Sequence, residues 1–114
     1  MIFNKDSFGE ILRVNFYRNI SAGSKFIMEI QPQFQGSLLT DGTQSEDGRP
    51  RKVTATLGTV DVTVDDMKLL ANQYMEYTTK KDDFKDVGRW RTKGIVTLPT
   101  ETIATSYQFF RVMP

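Results

Sequence analysis

The sequence predicts an all-β protein: an antiparallel sandwich of about seven short strands, with a long polar excursion at about residues 33–50. Three observations carry this. From Arg89 to Leu98 the chain alternates with period two. Trp90, Thr92, Gly94, Val96 and Leu98 share one face, and Arg89, Arg91, Lys93, Ile95 and Thr97 share the other. The closing run, Ile103 to Met113, is rich in aromatic and β-branched residues, the types that fit a pleated surface. Short apolar runs recur along the rest of the chain, each bounded by turn residues.

In chain order, Gly9 to Arg18 alternates Leu12, Val14 and Phe16 with Ile11, Arg13, Asn15 and Tyr17, and reads as a strand. Asn19 to Ser24 is a turn cluster. Lys25 to Gln31 is a second strand with Phe26, Met28 and Ile30 on one face. Pro32 is expected to end it, because proline has no N–H for a central ladder. Residues 33–50 hold Gly36, Asp41-Gly42, Asp47-Gly48 and Pro50, and few apolar residues besides Phe34, Leu38 and Leu39. A loop of that length in a compact domain is a candidate for partner contact.

Val53 to Leu57 and Thr59 to Val64 are β-branched runs around Gly58. Beyond them, Met67, Leu70, Ala71, Tyr74 and Met75 make a helical stripe, whereas Tyr74, Tyr77, Thr78 and Thr79 favour a strand. A tight turn near Met67–Ala71 and a strand over Gln73–Thr79 is the chosen assignment. Asp86-Val87-Gly88 is a sharp turn into the strand that starts with Arg89 and Trp90, and Leu98 to Thr102 connects it to the last strand.

The chain has 114 residues, the size of one domain, and 39% of them are apolar, enough for a packed core. Fifteen basic and fourteen acidic residues leave a net charge of +1, which argues against duplex nucleic acid as the main ligand. Cysteine and histidine are absent, which removes disulfides, thiolate chemistry, the commonest general base and the commonest transition-metal ligand. No apolar run approaches the ~18 residues of a membrane span. The first six residues lack the apolar centre of a signal peptide, so synthesis in a cytoplasm is expected. No catalytic, cofactor-binding or metal motif stands out. Asp61, Asp65 and Asp66, or Asp41, Ser45, Glu46 and Asp47, read as ordinary turn carboxylates rather than a calcium loop.

Candidate interface residues follow from face assignments. Trp90 shares its face with Val96 and Leu98, so it is expected in the core rather than as a stacking platform for a sugar. Arg89, Arg91 and Lys93 form a cationic stripe that reads as a solvated strand face or a guard against edge pairing, as a phosphate-binding stripe helped by Lys80 and Lys81, or as the complement of a neighbour's acidic patch. Tyr107, Phe109 and Arg111 lie opposite Phe110 and Val112. Exposed aromatics beside arginine have the composition of an interface anchor, unless residues 1–8 cover them with Ile2, Phe3 and Phe8. Those residues read as an arm that docks on this face or on a neighbour.

Several segments together resemble a family of small immunoglobulin-like phage virion proteins, the N-terminal type of baseplate upper proteins and related tail- or head-associated modules. They are the opening strand near Gly9, Lys25-Phe-Ile-Met-Glu-Ile-Gln-Pro32, Leu57-Gly-Thr-Val-Asp-Val62, Leu70-Ala-Asn-Gln-Tyr-Met-Glu-Tyr-Thr78, Val87-Gly-Arg-Trp-Arg91 and Phe110-Arg-Val112. The turn Asp86-Val-Gly88-Arg-Trp90 also resembles the corner before strand F of immunoglobulin-like sandwiches.

The resemblance implies structural roles for Asp86, Gly88, Trp90, Phe110 and Val112. It implies a non-enzymatic virion component without cofactor, multi-copy or homo-oligomeric, whose partners are tail, fibre, portal-adjacent or major capsid proteins. An accessory tail, baseplate or fibre position is the first expectation and a capsid-decorating one the alternative. A host-glycan module and an OB-like single-strand binder are readings of other classes. The residues expected to carry contacts are Phe3, Phe8, Phe34, Leu38, Leu39, Arg89, Arg91, Tyr107 and Phe109.

Overall fold

The computed structural model describes residues 2–5, 8–33, 50–81, 83–84 and 87–114. They form eleven strands and no helix: β1 (Ile2–Asn4), β2 (Ile11–Asn15), β3 (Lys25–Gln33), β4 (Arg51–Thr54), β5 (Thr56–Leu57), β6 (Val62–Val64), β7 (Met67–Leu69), β8 (Tyr74–Thr78), β9 (Gly88–Thr97), β10 (Thr102–Ala104) and β11 (Gln108–Met113). The larger sheet runs β1-β11-β9-β3-β4, with β10 also on β9. The smaller runs β2-β8-β5, and β6 and β7 pair as a separate hairpin. The all-β sandwich is therefore as expected. Seven strands form the body of its two sheets, and the short β1 and β10 flank the larger one.

Alternation sets the layers. On β9, Trp90, Thr92, Gly94 and Val96 are buried while their neighbours are not. They meet Met28 and Ile30 of β3 and Phe110 and Val112 of β11, and across the sandwich Leu12, Val14, Met75 and Tyr77 of the smaller sheet. At Gly94 the packing is tight: a side-chain carbon there would stand 2.8 Å from the Phe16 ring. Between β4 and β5 the chain changes sheet at Ala55, whose N–H still bonds to the Phe26 carbonyl while Thr56 already pairs with Glu76.

Four expectations are corrected. Pro32 does not end β3; it pairs with Trp90 inside the strand. Register explains this: β4 reaches only as far as Ile30, so at Pro32 β3 is laddered on one side among the described strands. Met67–Leu69 is not a turn but a strand folded back on Val62–Val64. The turn sits at Asp65-Asp66, both with positive φ (51° and 63°), the pattern of a two-residue hairpin turn that aspartate tolerates. A second turn at 70–73 then leads into β8, and the helical stripe is not used.

Third, Ile103 to Met113 is not continuous. Ala104 pairs with Ile95 but Gln108 with Thr92, so four steps on one strand match three on the other. Thr105 fills the gap, its N–H bonding to the Gly94 carbonyl and its hydroxyl accepting the Gly94 N–H. One extra residue reverses the facing. Ile103 packs against the core, yet Tyr107 and Phe109, of the same parity, lie on the other side.

Fourth, β1, the described strand of the N-terminal arm, does not cover that side. β1 runs parallel to the edge of β11, Phe3 beside Val112, and Phe3 points inward at 5% exposure. Its ring centroid lies 5.1 Å from Phe84 and 5.4 Å from Phe110, and Phe84 in turn stands 5.4 Å from Trp90. Phe3 is thus a core residue rather than a contact residue.

Candidate functional site

β9 and β11 lie side by side, so their outward side chains interleave. Phe109 pairs with Arg91 and Arg111 with Arg89, and by the same register Tyr107 falls beside Lys93. The Arg89 guanidinium lies 4.0 Å from the Phe109 ring centroid and that of Arg91 3.9 Å from Tyr107. Lys93 Nζ is 4.9 Å from the same ring. Each is within the range of cation–π attraction.

β3 supplies the polar floor. Arg91 donates from Nε and Nη2 to Gln31 Oε1 at 2.9 and 2.7 Å, and Tyr107 donates its hydroxyl to Glu29 Oε1 at 3.2 Å. Gln31 and Glu29 are buried although they sit on the outer side of the sheet. The pair Arg91–Tyr107 is therefore fixed at both ends, and its ordering entropy is spent before any partner arrives.

Charge is unevenly distributed. Lys25, Lys52, Arg89, Arg91, Lys93 and Arg111 fall on this side by register, against the single acid Glu29 among the described residues. Arg89 and Arg111 stand directly opposite each other, an arrangement that disfavours the isolated fold. With Ile2, Phe109 and Phe110 they line an open depression of about 390 Å³.

Phe109 also closes one end of a second, more apolar cleft of about 490 Å³. Its other walls are Phe16 and Tyr17 after β2, and Val64, Met67 and Leu69 of the hairpin. Arg13 lies on the same wall, its Nε 3.3 Å from Glu76 Oε2.

The most perturbed titratable groups lie elsewhere. Burial by itself would raise the Asp83 carboxyl. The Lys80 N–H at 2.7 Å, Arg51 Nη1 at 2.7 Å and the Tyr77 hydroxyl at 2.8 Å outweigh it and hold the carboxyl below its usual 3.8. Burial, and then the bond to Asp83, push Tyr77 up to about 12. This cluster pins the loop that inserts Phe84 into the core, so its shifts are structural rather than catalytic. Among the described residues no three acidic side chains gather as a metal site would require.

Of the residues singled out from sequence, Arg89, Arg91, Tyr107 and Phe109 come together on one face. Phe8 is exposed and joins neither depression. Trp90, Phe110 and Val112 are buried as expected. Gly88 has φ 128°, a conformation open chiefly to glycine. Phe34, Leu38, Leu39 and Asp86 lie outside the described residues. Sequence reasoning missed Gln31 and Glu29, whose signal was their alternation against Met28 and Ile30. It also missed Tyr17 and Met67, which no local pattern connects. Comparison with family models, with curated proteins and with solved structures finds no match to this chain.

Proposed function

We propose that this protein is a non-enzymatic assembly component of a bacteriophage virion, made in the host cytoplasm and carried in the particle. It docks other virion proteins through the outer face of β9 and β11. The observation that carries the docking role is the ordered row on that face: Arg91 held by Gln31 and stacked on Tyr107, and Arg89 stacked on Phe109. A solvated strand face does not need its arginines fixed. A docking face gains from it, because arginine and tyrosine anchors lose little entropy on binding when already ordered. The cationic surplus selects an acidic partner surface.

The resemblance to immunoglobulin-like virion modules supports the virion setting, with a tail, baseplate or fibre-associated position first and capsid decoration as the alternative. A glycan-binding role is less well supported, since Trp90, the best sugar platform in the chain, is inside the core. The test is quantitative mass spectrometry of purified particles, normalised to the major capsid protein. A small ring-like copy number supports the tail or fibre position. A lattice-scale number supports decoration of the head. Absence from particles overturns the proposal.

A further inference from the structure

The basic face is not the whole of the sticky surface. Phe109 is shared by both depressions, so one apolar band runs from Met67 and Tyr17 through Phe109 to Ile2. These four side chains are 50%, 73%, 47% and 71% exposed. Large apolar side chains exposed in one continuous band mark an interface, whereas singly scattered ones do not. The two ends of the band differ in charge. At the Met67 end, the hairpin and its approach carry Asp61, Asp65 and Asp66 against Lys68. At the Ile2 end stand Arg89 and Arg111, neither of which has an acidic partner among the described residues.

A surface that is acidic at one end, apolar in the middle and cationic at the other is complementary to itself. Turned over by a two-fold axis through its middle, it places its acidic end on the cationic end of a copy, and the reverse contact forms at the same time. Isologous dimers have this reciprocity. The geometry points to a second copy of this chain as the occupant. Two molecules pair with Phe109 at the centre, and Arg89 and Arg111 of each face the β6–β7 hairpin of the other, where Met67 and Tyr17 of that copy meet Ile2.

The size is within reach. A stable interface buries about 1,200 Å² in total. Each copy then contributes about half of that, less than a tenth of its 7000 Å² surface. The inference rests on the docking reading of the outer face and names one partner for it. Arg91 and Lys93, further along β9, and Tyr107 beside them stay available to other proteins.

Sedimentation equilibrium of the full chain across a range of salt concentrations tests this. The wild type is expected to dimerise, more weakly as salt rises, because the end contacts are charge pairs. Arg89→Glu with Arg111→Glu should weaken the dimer at least about tenfold, and Asp65→Asn with Asp66→Asn should act in the same direction. Asparagine keeps the positive φ of both turn positions. Phe109→Ser should abolish the dimer while circular dichroism and melting remain those of a folded protein. A protein that stays monomeric at every concentration overturns the inference, and so does a dimer indifferent to salt and to both charge variants. If the chain is monomeric yet present in purified particles, the self-pairing fails and the assembly role stands. If it dimerises as described but is missing from particles, the self-pairing stands and the virion role fails.

Discussion

The two faces of β9 and β11 can be compared residue by residue, because one backbone carries both. On the inner face Trp90 and Phe110 meet Phe3 and Phe84, rings against rings, their centroids 5.1 to 6.1 Å apart. On the outer face, Phe109, one residue before Phe110, and Tyr107, just ahead of β11, meet arginine and lysine instead. The inner rings are shut off from water and contribute mainly to folding. The outer rings keep an open side and order cations, of which Arg89 has no acidic partner among the described residues. A ring therefore stabilises the fold or prepares contact according to what its register places beside it, not according to its type.

The comparison breaks most visibly at Phe84. It sits on a loop but is wholly buried among Phe3, Trp90 and Phe110. Phe84→Ala should cost about 3–5 kcal/mol in denaturant unfolding, as for any large core aromatic. A cost under about 1 kcal/mol would show that the loop does not hold the cluster.

Next is Gly94, on the same inner row. Its added methyl would meet the Phe16 ring at 2.8 Å, so Gly94→Ala should cost about 1–3 kcal/mol through overpacking. Substitution at the outward-facing Ile95 should cost less, and equal costs would mean that the sheets are not in close contact there.

The clamp on the Phe84 loop gives a pH signature. The folded carboxyl of Asp83 is held below its usual 3.8, so its contribution is complete above that value and disappears as pH falls through the folded value. Tyr77 has the opposite sign of linkage. Its hydroxyl is raised from 10.0 to about 12, so stability is complete below pH 10 and is lost as pH climbs toward 12. Asp83→Asn should remove about 1–3 kcal/mol at neutral pH and flatten the acid limb, and Tyr77→Phe should flatten the alkaline limb. Melting curves at stepped pH would read both, and unchanged limbs would assign the linkage to other groups.

The smallest effect on folding belongs to the outer face. Arg91→Ala or Tyr107→Phe should shift stability by about 1 kcal/mol, since each removes a part-buried hydrogen-bonded contact to Gln31 or Glu29. Under the proposed docking role, both should nevertheless reduce capture of virion proteins in pull-downs. Loss of folding on Tyr107→Phe would reassign the Glu29–Tyr107–Arg91 network from docking to the fold.

Much of this organisation was legible in the chain. Period-two alternation placed Trp90, Val96, Phe110 and Val112 inside, and put Arg89, Arg91, Tyr107 and Phe109 outside, because strand facing is a local property. Pro32, Met67–Leu69 and the run from Ile103 to Met113 were misread for one shared reason. Whether proline is tolerated, whether a short run pairs, and whether a strand gains an extra residue all depend on the neighbouring strand. Phe3 was misread because an apolar residue near a terminus has no local sign of where it docks.

The sequence by itself determined the fold class, the inward and outward rows of β2, β3 and β9, and the lack of cysteine and histidine in the chain. These follow from composition and from a two-residue period that needs no partner. Only the tertiary structure decided that Phe3 and Phe84 complete the aromatic core. It alone set the one-residue offset at Thr105 that lets Ile103 face the core although it shares the parity of Tyr107, and it alone let Phe109 join a cationic face to an apolar cleft. Each of these is a relation between segments distant in the chain, and register and packing, which set such relations, are fixed only when the sheets close on one another.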